Sequence, residues 1–282
     1  MLNPEERLRI EELAYIPEHT VSLMTIISDG EAFFEEGFLY FKGDHWLIFV
    51  GYPIQKEYSE EAVIKFVFRL RDLFQFDYLW LICPKVPGIL KKEASIYVKD
   101  NYYTLDLGSF NPPNRLVKRL EKVSQKIYVT RSTVYTDEHE AVLVNFVKEK
   151  KPEPFVKALY CSMRKYVSHS DSAILLNAYD ANRNLIAFYV IDNGAKEFIT
   201  YVVGCRKTNS LFFGVSDLIF LKMVELALEM RKKYIHLGLG VNEGIKRFKE
   251  KWGGVPSIPY EFVELRRKKG IFNLLKGIEG II

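Results

Sequence analysis

Apolar residues fall in short runs through the first quarter of the chain, and turn-forming dipeptides separate the runs. Val21–Ser28, Ala32–Lys42 and Trp46–Gly51 are rich in β-branched and aromatic residues. Asp29-Gly30 and Gly43-Asp44 divide them, so the pattern predicts three strands joined by hairpins. The period then changes. Val63, Phe66, Val67, Leu70, Leu73 and Phe74 recur at steps of three and four behind Ser59-Glu60-Glu61, which predicts a capped amphipathic helix. Tyr78–Cys83 reads as a fully apolar strand ended by Pro84, and Ser95–Lys99 and Tyr102–Leu107 as two strands around Asp100-Asn101.

A basic helix follows Asn111-Pro-Pro-Asn114 to about Ser124, then a short strand, Ile127–Thr130. Thr136 caps the next helix, with Asp137 and Glu138 in the first turn where the helix dipole favours acids. Lys148-Glu-Lys-Lys-Pro152 is the most linker-like stretch, and Pro154 opens a helix to about Val167. The second half repeats the plan of the first. Ala173–Tyr179, Leu185–Asp192 and Phe198–Cys205 predict three strands, and Ser216 caps a long helix to about Lys232. That helix is apolar nearly all round, with Lys222, Glu225 and Glu229 as a narrow wet stripe, so it packs on a sheet. Tyr234–Leu237, a helix over Asn242–Trp252 and a strand over Tyr260–Leu265 complete the chain. The shared order β-β-β-α-β predicts an α/β fold of mixed sheets with helices on both faces. It divides into two tandem units, residues 1–135 and 169–282, joined by helices over 136–168.

The 282 residues suffice for two domains of about 100–150 residues each. A 48% share of hydrophobic and 27% of charged residues is that of a globular protein. No apolar run approaches the roughly 20 residues of a membrane helix, and the first seven residues lack the apolar stretch of a signal peptide. A cytoplasmic protein without a transmembrane segment is expected. Cys83, Cys161 and Cys205 are far apart with no metal-ligand spacing; all three are expected as buried structural thiols, and no metal site is expected. The net charge of +4 is uneven. Arg115, Lys118, Arg119, Lys122 and Lys126 form one basic group, and Lys246, Arg247, Lys249, Lys251 and Arg266-Arg-Lys-Lys269 another. Such groups suit a phosphate-bearing ligand, a tRNA or an anionic membrane surface, or are solvated helix faces and a basic tail.

The most informative segment runs from Ile235 to Gly254. Gly238-Leu-Gly240 at a strand end allows positive φ and close backbone approach by a ligand. The helix that starts at Asn242 points unpaired N–H groups into the same space, where a phosphate or carbonyl oxygen fits. On it Ile245, Phe248 and Trp252 form an apolar stripe with Lys249 at its edge. A lysine there either snorkels to water or meets an anion in a cleft.

These residues resemble the GNAT superfamily. Asn242 and Phe248-Lys-Glu-Lys-Trp-Gly253 are similar to that family's last motif, and Lys249 falls where ordinary GNAT acetyltransferases carry a tyrosine that protonates departing coenzyme A. A lysine after Phe and before an aromatic-Gly-Gly looks instead like the Fem-type aminoacyl-tRNA-dependent transferases and the synthase domain of lysyl-phosphatidylglycerol synthases. Those are tandem GNAT proteins that share a basic connecting helix like Asn114-Arg-Leu-Val-Lys-Arg119. The resemblance spans the chain in architecture and is specific over roughly residues 210–254. One departure is the loop from Arg206 to Ser216, which lacks the family's Arg/Gln-x-x-Gly-x-Gly/Ala coenzyme A cradle.

The resemblance implies an acyltransferase that moves an acyl or aminoacyl group to an amine or hydroxyl acceptor on a small molecule, peptide or lipid. The donor would be acyl-CoA or aminoacyl-tRNA, with no tightly bound cofactor. Lys249 would stabilise the donor's developing charge, with Gly238, Gly240 and Asn242 lining its site. Arg206 and Lys207 would contact phosphate, and Gly214 and Ser216 would start the helix that binds the donor. The alternative is a non-catalytic ligand-binding or RNA-binding module that keeps the tandem fold, to which the missing cradle also points. Tyr201 and Cys205 share one strand face and are expected in the core, as is a hydrogen-bonded His236. Glu243, Glu197 and His236 are all in reach as a general base and none stands out. The apolar tail, residues 271–282 behind four basic residues, either docks on the fold or makes a peripheral membrane contact.

Overall fold

A computed structural model describes residues 2–207 and 213–267. After α1 (Pro4–Leu13) and α2 (Val21–Ser28), the chain forms β1 (Glu31–Glu35), β2 (Phe38–Lys42), β3 (Trp46–Val50), α3 (Glu60–Leu73), β4 (Tyr78–Cys83), α4 (Gly88–Glu93) and β5 (Ile96–Asp106). α5 (Asn114–Ser124), β6 (Tyr128–Ser132), α6 (Asp137–Lys150), α7 (Pro154–Cys161) and α8 (Met163–His169) follow. The order βββαβαβ then recurs as β7 (Ala173–Tyr179), β8 (Leu185–Asp192), β9 (Phe198–Arg206), α9 (Val215–Glu229), β10 (Tyr234–Leu239), α10 (Glu243–Lys251) and β11 (Val255–Arg266).

The described strands form one sheet in the order β1-β2-β3-β4-β11-β5-β10-β9-β8-β7-β6. Each repeat gives its last strand to the other. β11 pairs with β4 from Glu261↔Cys83 to Arg266↔Tyr78, and β5 pairs with β10 from Tyr234↔Asp106 to Leu239↔Tyr102. The exchanged strands pair with each other between them. α9 buries Val215, Ile219 and Met223 on the β6–β10 half of the sheet, and α6 and α8 cover the opposite face with Val142, Leu143 and Tyr166.

Several elements differ from the sequence pattern. Val21–Ser28 is a helix, because Val21 and Met24 lie three apart and both enter the core over β2 and β3, while Leu23 enters a second core against α8. Asp29, at φ 60, caps it instead of turning a hairpin. The stretch 32–42 is split by Glu36 and Gly37, both at positive φ, as a two-residue hairpin requires. Asp100-Asn101 does not turn: β5 runs through it. The helix after Pro154 breaks at Ser162 into α7 and α8. α7 has no buried residue, so Cys161 is exposed, unlike Cys83 and Cys205. The tail lies outside the described residues.

The segment after α1 encloses a carboxyl group. Glu18 Oε2 is buried with no hydrogen-bond partner among the described residues, as is the Tyr102 hydroxyl beside it. Burial pushes the Glu18 carboxyl above its ordinary range. A raised folded-state value means that Glu18 stabilises the fold fully below the ordinary carboxyl range and that this contribution is lost as pH rises through the folded value. Glu18→Gln is therefore expected to melt above the wild type at pH 8 and level with it at pH 4, as thermal scans across pH would show.

Candidate active site

β9 and β10 pair in parallel over three residues alone, Phe198↔Tyr234, Ile199↔Ile235 and Thr200↔His236. Beyond them β9 continues to Arg206 and β10 to Leu239 with no ladder between, so the sheet opens at the carboxyl ends of two parallel strands. The register explains the opening. In β9, Tyr201 faces Ile191 and Val203 faces Val190, which leaves Val202 as an extra, bulged residue that bends the strand. On the other flank, β10 slips against β5 between His236 and Leu239, where Gly238 has φ 72. The matching strands of the first repeat, β3 and β4, pair without a break from Trp46↔Tyr78 to Val50↔Ile82, so that repeat has no such opening. The bulge also corrects the expected alternation. Tyr201 packs toward α9 and Cys205 into the core on the other face.

α10 starts four residues after the end of β10 and turns back on it. Asn242 caps it by accepting the Ile245 N–H at 3.0 Å. Phe248 packs edge-on against Phe220, and Trp252 stacks on Phe220 with centroids 4.8 Å apart. These anchors turn Lys249 inward, where it is 3% exposed and does not snorkel. Its Nζ donates to the Leu239 carbonyl at 2.5 Å and lies 5.3 Å from the Tyr103 ring centroid. Burial pulls the amine down to about 7, and the Asp100 charge only partly opposes this. His236 is fully buried; its Nδ1 accepts the Gly238 N–H at 3.2 Å, and its Nε2 has no partner among the described residues, so this core histidine is only half satisfied. Burial first, and the Lys249 charge second, lower it to about 3 and hold it neutral.

The turn from β10 to α10 is held by a residue of the first repeat. Asp100 of β5 accepts the Val241 N–H at 2.9 Å through Oδ2 and the Asn101 N–H at 2.7 Å through Oδ1. The Asn242 N–H closes a three-residue turn on the Gly240 carbonyl, with Val241 at φ 58. A β-branched residue there is strained and persists only because its surroundings fix it. A Cβ at Gly240 would come within 2.7 Å of Asp100 Oδ1 and 2.8 Å of the Lys246 side chain, so a larger residue would displace one of them. Space beside Gly238 is open. Asp100 and Tyr103 escaped the sequence reading; a carboxylate inside an otherwise β-forming stretch was the available signal.

Gly238, Gly240, Asn242 and Lys249 thus come together at the end of β10. The other expected site residues gather at the end of β9. Arg206 is exposed there, and the Lys207 N–H pairs with the Ile186 carbonyl. Gly214, at φ 92, is the N-cap of α9; Ser216 lies inside the helix, where its carbonyl accepts the Tyr189 hydroxyl, so it is not the cap. Buried Asp217 accepts from Arg119 at 2.7 Å, from the Trp252 indole at 3.1 Å and from Lys251, tying the basic helix α5 to both α9 and α10. Residues 208–212 lie outside the described residues.

No protein-family model matches the chain, and no curated protein sequence matches it. Its fold does recur among solved structures. The L-PGS structure from Bacillus licheniformis superposes with a TM-score of 0.61 at 14% identity, covering 99% of this chain and 97% of that one. FemX gives 0.63 at 10% identity over 98% of both chains. A tandem GNAT protein from the clavulanic acid biosynthesis pathway gives 0.56 at 13% identity, over 95% of this chain and 97% of its own. The chain has a tandem GNAT-like fold. No helix among the described residues is long and apolar enough to cross a membrane.

Proposed function

We propose that the second repeat transfers an acyl or aminoacyl group from an activated donor, aminoacyl-tRNA or acyl-CoA, to an amine or hydroxyl acceptor. One observation carries this reading: Lys249, 3% exposed and without a carboxylate in ion-pairing range among the described residues, donates to the Leu239 carbonyl at the end of β10, the strand whose parallel pairing with β9 stops after three residues. A buried amine with no ion pair is costly and is kept where it serves chemistry. The acceptor attacks the donor carbonyl, whose oxygen becomes an alkoxide. Lys249 has three N–H bonds and spends one on Leu239, so another is free to stabilise that oxygen. Collapse of the tetrahedral carbon expels the thiolate or the ribose alkoxide, and the Lys249 ammonium, held near pH 7, can pass that group a proton. The proton the acceptor loses returns to the Lys249 amine or goes to solvent. The basic faces of α5 and the β9 end suit a phosphate-bearing donor. The fold shared with L-PGS, FemX and a tandem GNAT protein supports the same reaction class.

The test is release of uncharged tRNA or free coenzyme A thiol from labelled donors, with lysine or glycerol as acceptor. Acceleration above the uncatalysed rate with one donor is expected. No acceleration with either donor would sink the reading.

A further inference from the structure

The sheet face away from α3 is bare at one corner of the first repeat. Register sets Trp46, Tyr78 and Arg266 side by side there, and Ile48, Trp80, Glu264 and Ile96 in the next row. Tyr78 and Ile96 are exposed, and Trp46, Ile48 and Trp80 half-buried. Farther along the same strands Val50, Ile82 and Tyr260 are covered, packed in one core with Ile10 of α1 and with Val21 and Met24 of α2. The two bare rows therefore lie one helix layer below their neighbours. Trp80 stacks on Tyr78 with centroids 6.0 Å apart, and Trp46 lies 5.9 Å from Trp80, so the surface is continuous and aromatic. Its one acid is already paired. The Glu264 carboxylate accepts the Trp80 indole at 3.1 Å, and the Ser95 hydroxyl and Arg266 guanidinium at 2.8 Å each. Arg266 in turn lies 5.5 Å from the Tyr78 centroid. What remains for an incoming group is apolar contact.

The chain carries a matching segment of its own. Arg267, the last described residue, has its N–H fixed on the carbonyl of Asp77, the neighbour of Tyr78. Lys268-Lys-Gly270 follows, and three residues span at most about 11 Å. Beyond them Ile271, Leu274, Leu275, Ile278 and Ile282 recur at steps of three and four, while Asn273 and Lys276 fall outside that stripe. A segment tethered so close to an apolar surface acts at an effective concentration that a free partner does not reach. We propose that residues 271–282 cover this corner, with the stripe from Ile271 to Ile282 against Trp46, Trp80 and Ile96. The inference stands whether or not the chain transfers acyl groups.

Tryptophan emission and thermal scans in lipid-free buffer, on the full chain and on one ended at Lys269, are the test. Trp252 is 2% exposed in the core under α9, so a change in emission reports Trp46 and Trp80. The shortened chain should melt at least about 5 °C lower with its emission moved to the red, and added peptide 270–282 should reverse the shift in emission. In the full chain Leu274→Asp should act as the truncation does, and Lys276→Asp should not. Ile96→Asp should lower the melting temperature of the full chain but hardly that of the Leu274→Asp chain, because both changes remove one contact. That pair keeps the test open where the shortened chain does not fold. Equal emission and melting of the full and Leu274→Asp chains overturn the proposal. So does protection of the two tryptophans that varies with chain concentration, which assigns the corner to a second copy. Emission that responds to phosphatidylserine vesicles and not to Leu274→Asp overturns it too, and assigns the corner to a membrane.

Discussion

Lys249→Met is expected to raise the melting temperature while lowering transfer about 10²–10³-fold, the scale of losing one donor to a developing oxyanion. Both effects come from one ammonium group. Its pKa falls from 10.5 to about 7 on folding, chiefly through burial. Between those values the unfolded chain holds a proton that the folded chain has lost, so stability rises with pH across that window. Below about pH 7 the folded protein carries the whole cost of the buried charge. Methionine fills similar space without charge. Removing the cost and losing one hydrogen bond leaves a net gain of about 4 kcal/mol near pH 6, roughly 10 °C for a chain of this size, shrinking as pH rises toward 10. Thermal scans at pH 6 and pH 9 check the first effect and labelled-donor assays the second. A variant that is less stable at both pH values would make Lys249 a structural residue, and one that keeps full transfer would remove its assigned role.

The duplicated order of elements was legible because hydrophobic period survives tertiary packing. α3, α9 and the strands β7–β9 each announce themselves over six residues or more, and β10 over four. The N-terminal arm did not, because Val21–Ser28 has the β-branched composition of a strand and only two separate cores make it a helix. The start of β11 was hidden by Pro256 and Pro259, which a single chain reads as loop, yet this strand's register slips at Pro256 and pairing resumes at Ile258. Lys249 was visible from its place beside the Phe248 and Trp252 stripe. Its surroundings were not. The bulge at Val202 is a register event with no residue signature, and it decides both the opening and the faces of Tyr201 and Cys205. Strand exchange is equally silent in one dimension.

That exchange makes the second large prediction. Asp100 belongs to the first repeat by sequence, yet it reaches the second repeat's site because β5 pairs with β10. It does two things there: its charge supports the Lys249 ammonium, and its oxygens hold the strained turn at Val241. The two can be separated. Asp100→Asn keeps an oxygen for the Val241 N–H but removes the charge, so the Lys249 amine falls further below 7. Above that value each lost unit cuts the protonated fraction about tenfold, so transfer at pH 8 should drop by that factor for each unit and recover toward pH 6. Asp100→Ala removes the acceptor as well. Val241 then has no reason to keep its left-handed conformation, the Leu239 carbonyl shifts with the turn, and acid should rescue little of the activity. The pH profiles of both variants, with the Lys249 amine followed by NMR after reductive methylation, decide the matter. An asparagine variant whose profile and amine pKa match the wild type would show that the carboxylate charge does not reach Lys249. An alanine variant rescued by acid as fully as the asparagine would show that the turn holds itself. If both behave as expected, a second-repeat fragment lacking β5 has neither the charge nor the turn, and the two repeats form one site because neither can complete it alone.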